Sequence, residues 1–236
     1  MSVFTSLGIL LVAMLIQGFL QTSPAVFTIF YHHALGKTTA KKADDQSLSF
    51  ILGTEFFTAI IFLAIYFLVA YLDATINYDY AILMWVMGGI FVLEAIVAFF
   101  FYFRPGKKSR KTTRLFLPRK IAKGLETRAG KTKNRSDTIL LGFLTAATEI
   151  IFTLPLYIIS AIQIVRLASR FSPFFIIAYI IIATLPLFII RILYRTHHNL
   201  AEIQRRRIKK KLFFKIIIAL GFAILSALSI TAGVFL

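Results

Sequence analysis

The sequence has no cysteine, which removes disulfides, thiol redox chemistry and thiolate metal ligands together. It has one tryptophan, six prolines and only ten acidic residues against 27 basic ones. There is no His-Glu-x-x-His pair, and no serine, histidine and aspartate share one depth, so the chain is not read as an enzyme. The stretch 130–132 reads GKT, but a phosphate-binding loop needs a glycine five residues earlier, where Leu125 stands. Nucleotide hydrolysis is excluded on that ground, and no cofactor is expected.

What the sequence has is apolar length. Its 236 residues are 58% hydrophobic, 25 of them phenylalanine, with a mean hydropathy of +0.82. Charge is confined to a few loops, and long uncharged runs of this kind belong to a membrane protein. The net charge of +17 suggests nucleic acid only at first sight. The basic residues lie between the apolar runs, where they orient spans and meet anionic lipid head groups, and no nucleic-acid partner is expected.

Runs of about 20 apolar residues give six spans: 3–31, 48–72, 80–103, 138–165, 171–190 and 212–236. All are too long for strands and none alternates with period two, so the class is all-α. The first run lacks a basic leader and a clear cleavage site, and reads as a retained span. Positive charge sets the topology. The loops after spans 1, 3 and 5 hold 24 basic residues, whereas those after spans 2 and 4 hold only Arg166 and Arg170. The odd loops are therefore expected in the cytoplasm and both termini outside.

The chain reads as one transmembrane domain, 1–236, in two three-span halves, 1–103 and 137–236, joined by the loop 104–136. That loop carries 13 basic residues and a single acid, Glu126. Its LFLPRKIAKGLETR segment is expected to lie as an amphipathic helix on the inner leaflet, with Leu117, Ile121 and Leu125 toward lipid. A docking site for a cytoplasmic partner is the alternative use. The pairs His32–His33 and His197–His198 are read as interfacial, because adjacent helical residues diverge by about 100° and chelate poorly. No metal site is expected.

Three carboxylates fall within spans. Glu55, Glu94 and Glu149 lie about 10, 13 and 17 Å in from the cytoplasmic ends of their helices, taking about 1.5 Å per residue. No lysine or arginine lies at that depth. Such groups are protonated, share protons or meet a cation in a watery cavity, which marks a functional site. The bland alternative is a neutral acid bonded to a helix carbonyl. Two spans also carry breakers beside polar side chains. Gly18, Gln17, Gln21, Thr22 and Ser23 precede Pro24; Gly142, Thr145, Thr148, Glu149 and Thr153 precede Pro155. Broken helices lined this way expose backbone to a substrate near the midplane. The alternative is hydroxyls bonded back to their own helix and prolines that only bend it.

Three plus three spans, with GFLQTSP at 18–24 and GFLTAATEIIFTLP at 142–155, resemble the LysE-type exporter superfamily. That broad group includes amino-acid exporters, metal-ion exporters and CcdA/DsbD-like electron conduits, and the resemblance is architectural, covering nearly the whole chain. The resemblance implies a bacterial plasma membrane. Electron conduction is ruled out, since Ser23 and Leu154 precede the prolines where the conduits need cysteines. The departures extend to Ser23-Pro24 in place of a Gly-Pro break.

The expectation is thus a proton-coupled exporter of a small solute or cation, built as an inverted 3+3 repeat, with possible self-association and anionic lipid as partners. Its site is expected from Glu149, Glu94, Glu55, Gln21, Ser23, Thr148 and Thr153, between helices broken at Gly18, Pro24, Gly142 and Pro155. The alternative is a non-transporting scaffold or assembly factor that recruits lipid or a partner through its basic loops.

Overall fold

The computed structural model describes residues 3–21, 39–76, 79–101, 128, 134–167, 171–197 and 211–235. Ser23, Pro24, His32, His33, His198 and the proposed amphipathic helix lie outside the described residues. Among the described residues there are seven helices and no strand: α1 Val3–Gln21, α2 Ala40–Thr75, α3 Tyr80–Phe101, α4 Arg135–Thr148, α5 Ile150–Leu167, α6 Ser172–His197 and α7 Lys211–Val234. Six of them, all but α4, are long and apolar enough to cross a membrane. The chain is a multi-pass helical membrane protein.

Helix α2 starts eight residues before the apolar run does. Thr39 caps it, its hydroxyl accepting from the Lys42 amide at 3.4 Å. The charged turn that follows is a good helix former, and hydropathy registers only the part beyond it. At 36 residues the helix is about 54 Å long, so its first turns project past the apolar zone.

The fourth span is two helices, and the joint is Glu149. The Glu149 amide turns back three residues to Ala146 O at 3.1 Å, and the Glu149 carbonyl accepts the amides of both Phe152 and Thr153. Neither glycine nor proline marks the joint. The helices run on through Gly18, Gly142 and Pro155, which corrects the break positions expected from the sequence. Pro155 lies in the second turn of α5, where its missing amide deprives the Ile151 carbonyl of its usual donor. Starting a new helix at Ile150 leaves the proline near a helix beginning, where it disturbs least. Threonine hydroxyls cover carbonyls around the joint: Thr145 donates to Leu141 O, Thr148 to Thr145 O and Thr153 to Glu149 O.

The packing joins the first three spans to the last three. Helix α3 lies along α7, α2 along α4, and α1 sits against α5, α6 and α7. Gly53 and Gly142 explain how close α2 and α4 come. A Cβ on Gly53 would stand 1.9 Å from Ile139 O, and one on Gly142 would stand 2.1 Å from Phe50 O. Only hydrogen at both positions permits this backbone-to-backbone approach. Thr54 stitches the crossing by donating to both Phe50 O and Gly142 O. At the same end, Asp44 holds Arg191 of α6 through a two-pronged pair at 2.8 and 3.0 Å, and Asp45 holds Arg135 of α4.

Candidate functional site

A buried polar cluster sits where α1, α2, α5 and α6 meet. Gln17 and Gln21 lie one turn apart on α1, so they share a face. Gln21 donates from Nε2 to Thr58 Oγ1 of α2 at 2.8 Å. Tyr179 of α6 donates its hydroxyl to Gln17 Oε1. Tyr157 of α5 turns its hydroxyl toward Thr58, Thr153 and Gln17, and Ser160 lies beside Tyr179. Gln17, Thr58, Ser160 and Tyr179 are all fully buried.

Apolar neighbours hold these groups in place. Phe62 stacks flat on Tyr179 with ring centroids 4.0 Å apart, and its ring also meets Tyr157 at 6.1 Å. Gly18 lets α1 approach α6, since a Cβ there would stand 2.9 Å from Pro186 Cγ. Both breakers therefore serve the seam between α1 and α6: one is small and the other fills the space it leaves.

The hydrogen bonding in this cluster is incomplete. Among the described residues, Gln17 Nε2, Gln21 Oε1 and Ser160 Oγ have no partner in hydrogen-bond geometry, although each is buried. At membrane depth such atoms are costly to leave unmatched. One open donor and one open acceptor, a turn apart on α1, suit a small polar species that offers the complementary pair.

The expected residues divide between this cluster and other places. Gln21 and Thr153 belong to it, and Glu149 lies near enough for its charge to act on Tyr157. Thr148 spends its hydroxyl on Thr145 O and supports the helix joint. Glu55 is half-buried on the edge of α2, three residues before Thr58. Glu94 is buried elsewhere, one turn from Phe91, which stacks on Phe222 of α7, and among the described residues its Oε2 has no hydrogen-bond partner. The three carboxylates thus do not form one group. Depth along a helix gives height in the membrane, but only the azimuth decides which groups meet.

Tyr157, Tyr179, Ser160 and Thr58 were not singled out from the sequence. A signal for the α5 residues was present: Glu149, Thr153, Tyr157, Ser160 and Gln163 recur at helical spacing on one face of an otherwise apolar run. Among the described residues no group of three or more His, Asp or Glu could hold a metal ion. An apolar groove of about 460 Å³ lies at the other ends of α2 and α3, lined by Val69, Leu72, Ile82, Val86, Ile158 and Ile162 among others. Ile158 and Ile162 belong to the face of α5 away from the polar residues, so the groove is separate from the cluster. No protein-family model, curated protein or solved structure matches the chain.

Proposed function

We propose that the protein is a secondary transporter, a proton-coupled exporter of a small solute or cation. Its substrate binds in the polar cluster between α1 and the jointed fourth span. The observation that carries this reading is the cluster itself: four helices from both halves converge buried polar groups beside a helix joint at Glu149, and three of their atoms stay open. A cluster shared between halves changes when the halves move against each other, as alternating access requires. Glu149 is the coupling group in this reading.

The contact pattern supports an inverted repeat. If spans 1, 2 and 3 are exchanged for 4, 5 and 6, the α1–α7 contact maps onto that of α3 with α5, which is present. The α1–α6 contact maps onto that of α2 with the fourth span, which is also present. Cytoplasmic odd loops, outer termini, a bacterial plasma membrane and kinship with the LysE-type exporters complete the proposal.

The test is transport in proteoliposomes across a panel of labelled solutes and cations, with an imposed pH gradient, for the wild type and Glu149→Gln. The expected result is gradient-driven uptake that the substitution uncouples by about tenfold or more. Unchanged coupling would remove Glu149 from the mechanism. No transport across the panel, together with loss of lipid binding when the 104–136 loop is neutralised, would favour the scaffold reading.

A further inference from the structure

The geometry points to a hydrated path along the polar face of α5, leading from Glu149 toward the outer side and supplying protons to it. This rests on the reading of Glu149 as the coupling group. Glu149, Thr153, Tyr157, Ser160 and Gln163 follow one another at spacings of four, four, three and three residues. On α5 the positions from Thr153 to Gln163 fall within an arc of about 120° and span about 15 Å, with Glu149 at the joint ahead of them. Beyond the joint the row is buried: Thr153 is 2% exposed, Tyr157 1%, and Ser160 and Gln163 are at zero. The residues between them, including Ile151, Leu154 and Ile158, are apolar.

A dry polar lock between helices would explain burial, but it would also use up its donors and acceptors. Here it does not. Among the described residues, Ser160 Oγ and Gln163 Oε1 on α5, and Gln17 Nε2 and Gln21 Oε1 on α1, have no partner in hydrogen-bond geometry, Ser160 and Gln17 lying only beside the hydroxyls of Tyr179 and Tyr157. Leaving such atoms unmatched in a dry interior is costly. Gln163 Nε2 has only the sulfur of Met84, at 3.7 Å. Water needs two to four polar partners to settle in an interior, and this row supplies them. At the far end Gln163 is three residues from Arg166, whose guanidinium stands 4.4 Å over the Tyr80 ring and marks the boundary. Hydroxyls joined by water carry protons; a row of isoleucines would not.

Because the chain has no cysteine, single substitutions report on water directly. Thr153→Cys, Ser160→Cys and Gln163→Cys, each in the full chain in liposomes, are treated from outside with a charged methanethiosulfonate. Ile151→Cys and Leu154→Cys, on the outward-facing side of α5, serve as references. The three path positions are expected to react about tenfold faster or more, since only a wet thiol ionises readily. The wild type gives a second reading that needs no substitution. Hydroxyl radicals made from water should oxidise Met84, whose sulfur lies 3.7 Å from Gln163 Nε2, well before Met87, which is 3% exposed one turn further along α3. Path positions as slow as the references, with Met84 no faster than Met87, would overturn the path. If that result came with transport that still depends on Glu149, the transporter reading would survive alone. A reactive path combined with Glu149-independent transport would uphold the path and dismiss the coupling role.

Discussion

Tyr179 donates a hydrogen bond from its hydroxyl to Gln17 Oε1 inside a bundle whose walls are hydrocarbon. Tyr179→Phe keeps the ring stacked on Phe62 but leaves both ends of the Gln17 amide open. The expected cost is about 1–3 kcal/mol, seen as a lower unfolding midpoint in detergent. Tyr71→Phe, at a position 65% exposed, is expected to leave the midpoint where it is. An equal response from both would remove the hydrogen bond as the cause. Single residues were partly legible in the sequence. Gln21, Thr153 and Glu149 stand out because a polar side chain in an apolar run has to be explained. Tyr157 and Tyr179 do not, because tyrosine passes as an apolar residue until a partner for its hydroxyl is known. Glu94 stands out as readily as Glu149, yet it is buried on α3, one turn from Phe91 and outside the cluster, and nothing in a linear sequence tells the two azimuths apart.

At the scale of the helix, the joint at Glu149 shows where local rules gave way. Gly142 and Pro155 have the composition of breakers, and the helix ends at neither. Gly142 is occupied with the α2 crossing, and Pro155 is tolerated because α5 begins just ahead of it. That crossing makes a sharp prediction. Gly53→Ala or Gly142→Ala drives a methyl into backbone, which cannot rotate aside, and should cost about 1–3 kcal/mol or more. Gly89→Ala, which meets nothing within 4 Å, should be neutral or slightly stabilising. Thermal unfolding of the purified variants checks both, and a destabilised Gly89 variant would mean that the measurement reports something other than the crossing. The neighbouring aspartates of α2 offer a similar contrast. Asp44 and Arg191 are 14% and 17% exposed, whereas Asp45 and Arg135 are 40% and 74% exposed. Asp44→Asn should therefore lower stability by about 1.5–3 kcal/mol, as for a charge-assisted bond. Asp45→Asn should cost under about 1 kcal/mol, because water already screens that pair. Equal losses would show that burial does not govern these pairs.

For the whole molecule, the placement of charge says more than any single motif. Six apolar runs were readable, with the bounds of spans 3 and 6 right to within two residues; charged turns extended α2, a joint divided the fourth span, α6 runs seven residues past Ile190, and the end expected for span 1 lies outside the described residues. Orientation rests on the 24 basic residues of the odd loops, and helix directions agree with an alternating path. Asp45 meets Arg135 while Phe57 meets Phe143, so α2 and α4 run parallel; Phe91 meets Phe222 while Trp85 meets Gly233, so α3 and α7 run antiparallel. These relations hold for either orientation in the bilayer, so the direction itself has to be measured. The absence of cysteine makes that direct. A single Thr75→Cys or Phe235→Cys should take up an impermeant maleimide on intact cells, while Ser136→Cys should do so only after permeabilisation. The reverse pattern would invert the topology and turn the polar face of α5 toward the cytoplasm. Neutralising the 13 basic residues of the 104–136 loop should blur the contrast, with both faces labelled at Thr75, because orientation follows the charge held back on one side. An unblurred pattern would show that the remaining basic loops suffice, and would free the long loop for recruiting lipid or a partner.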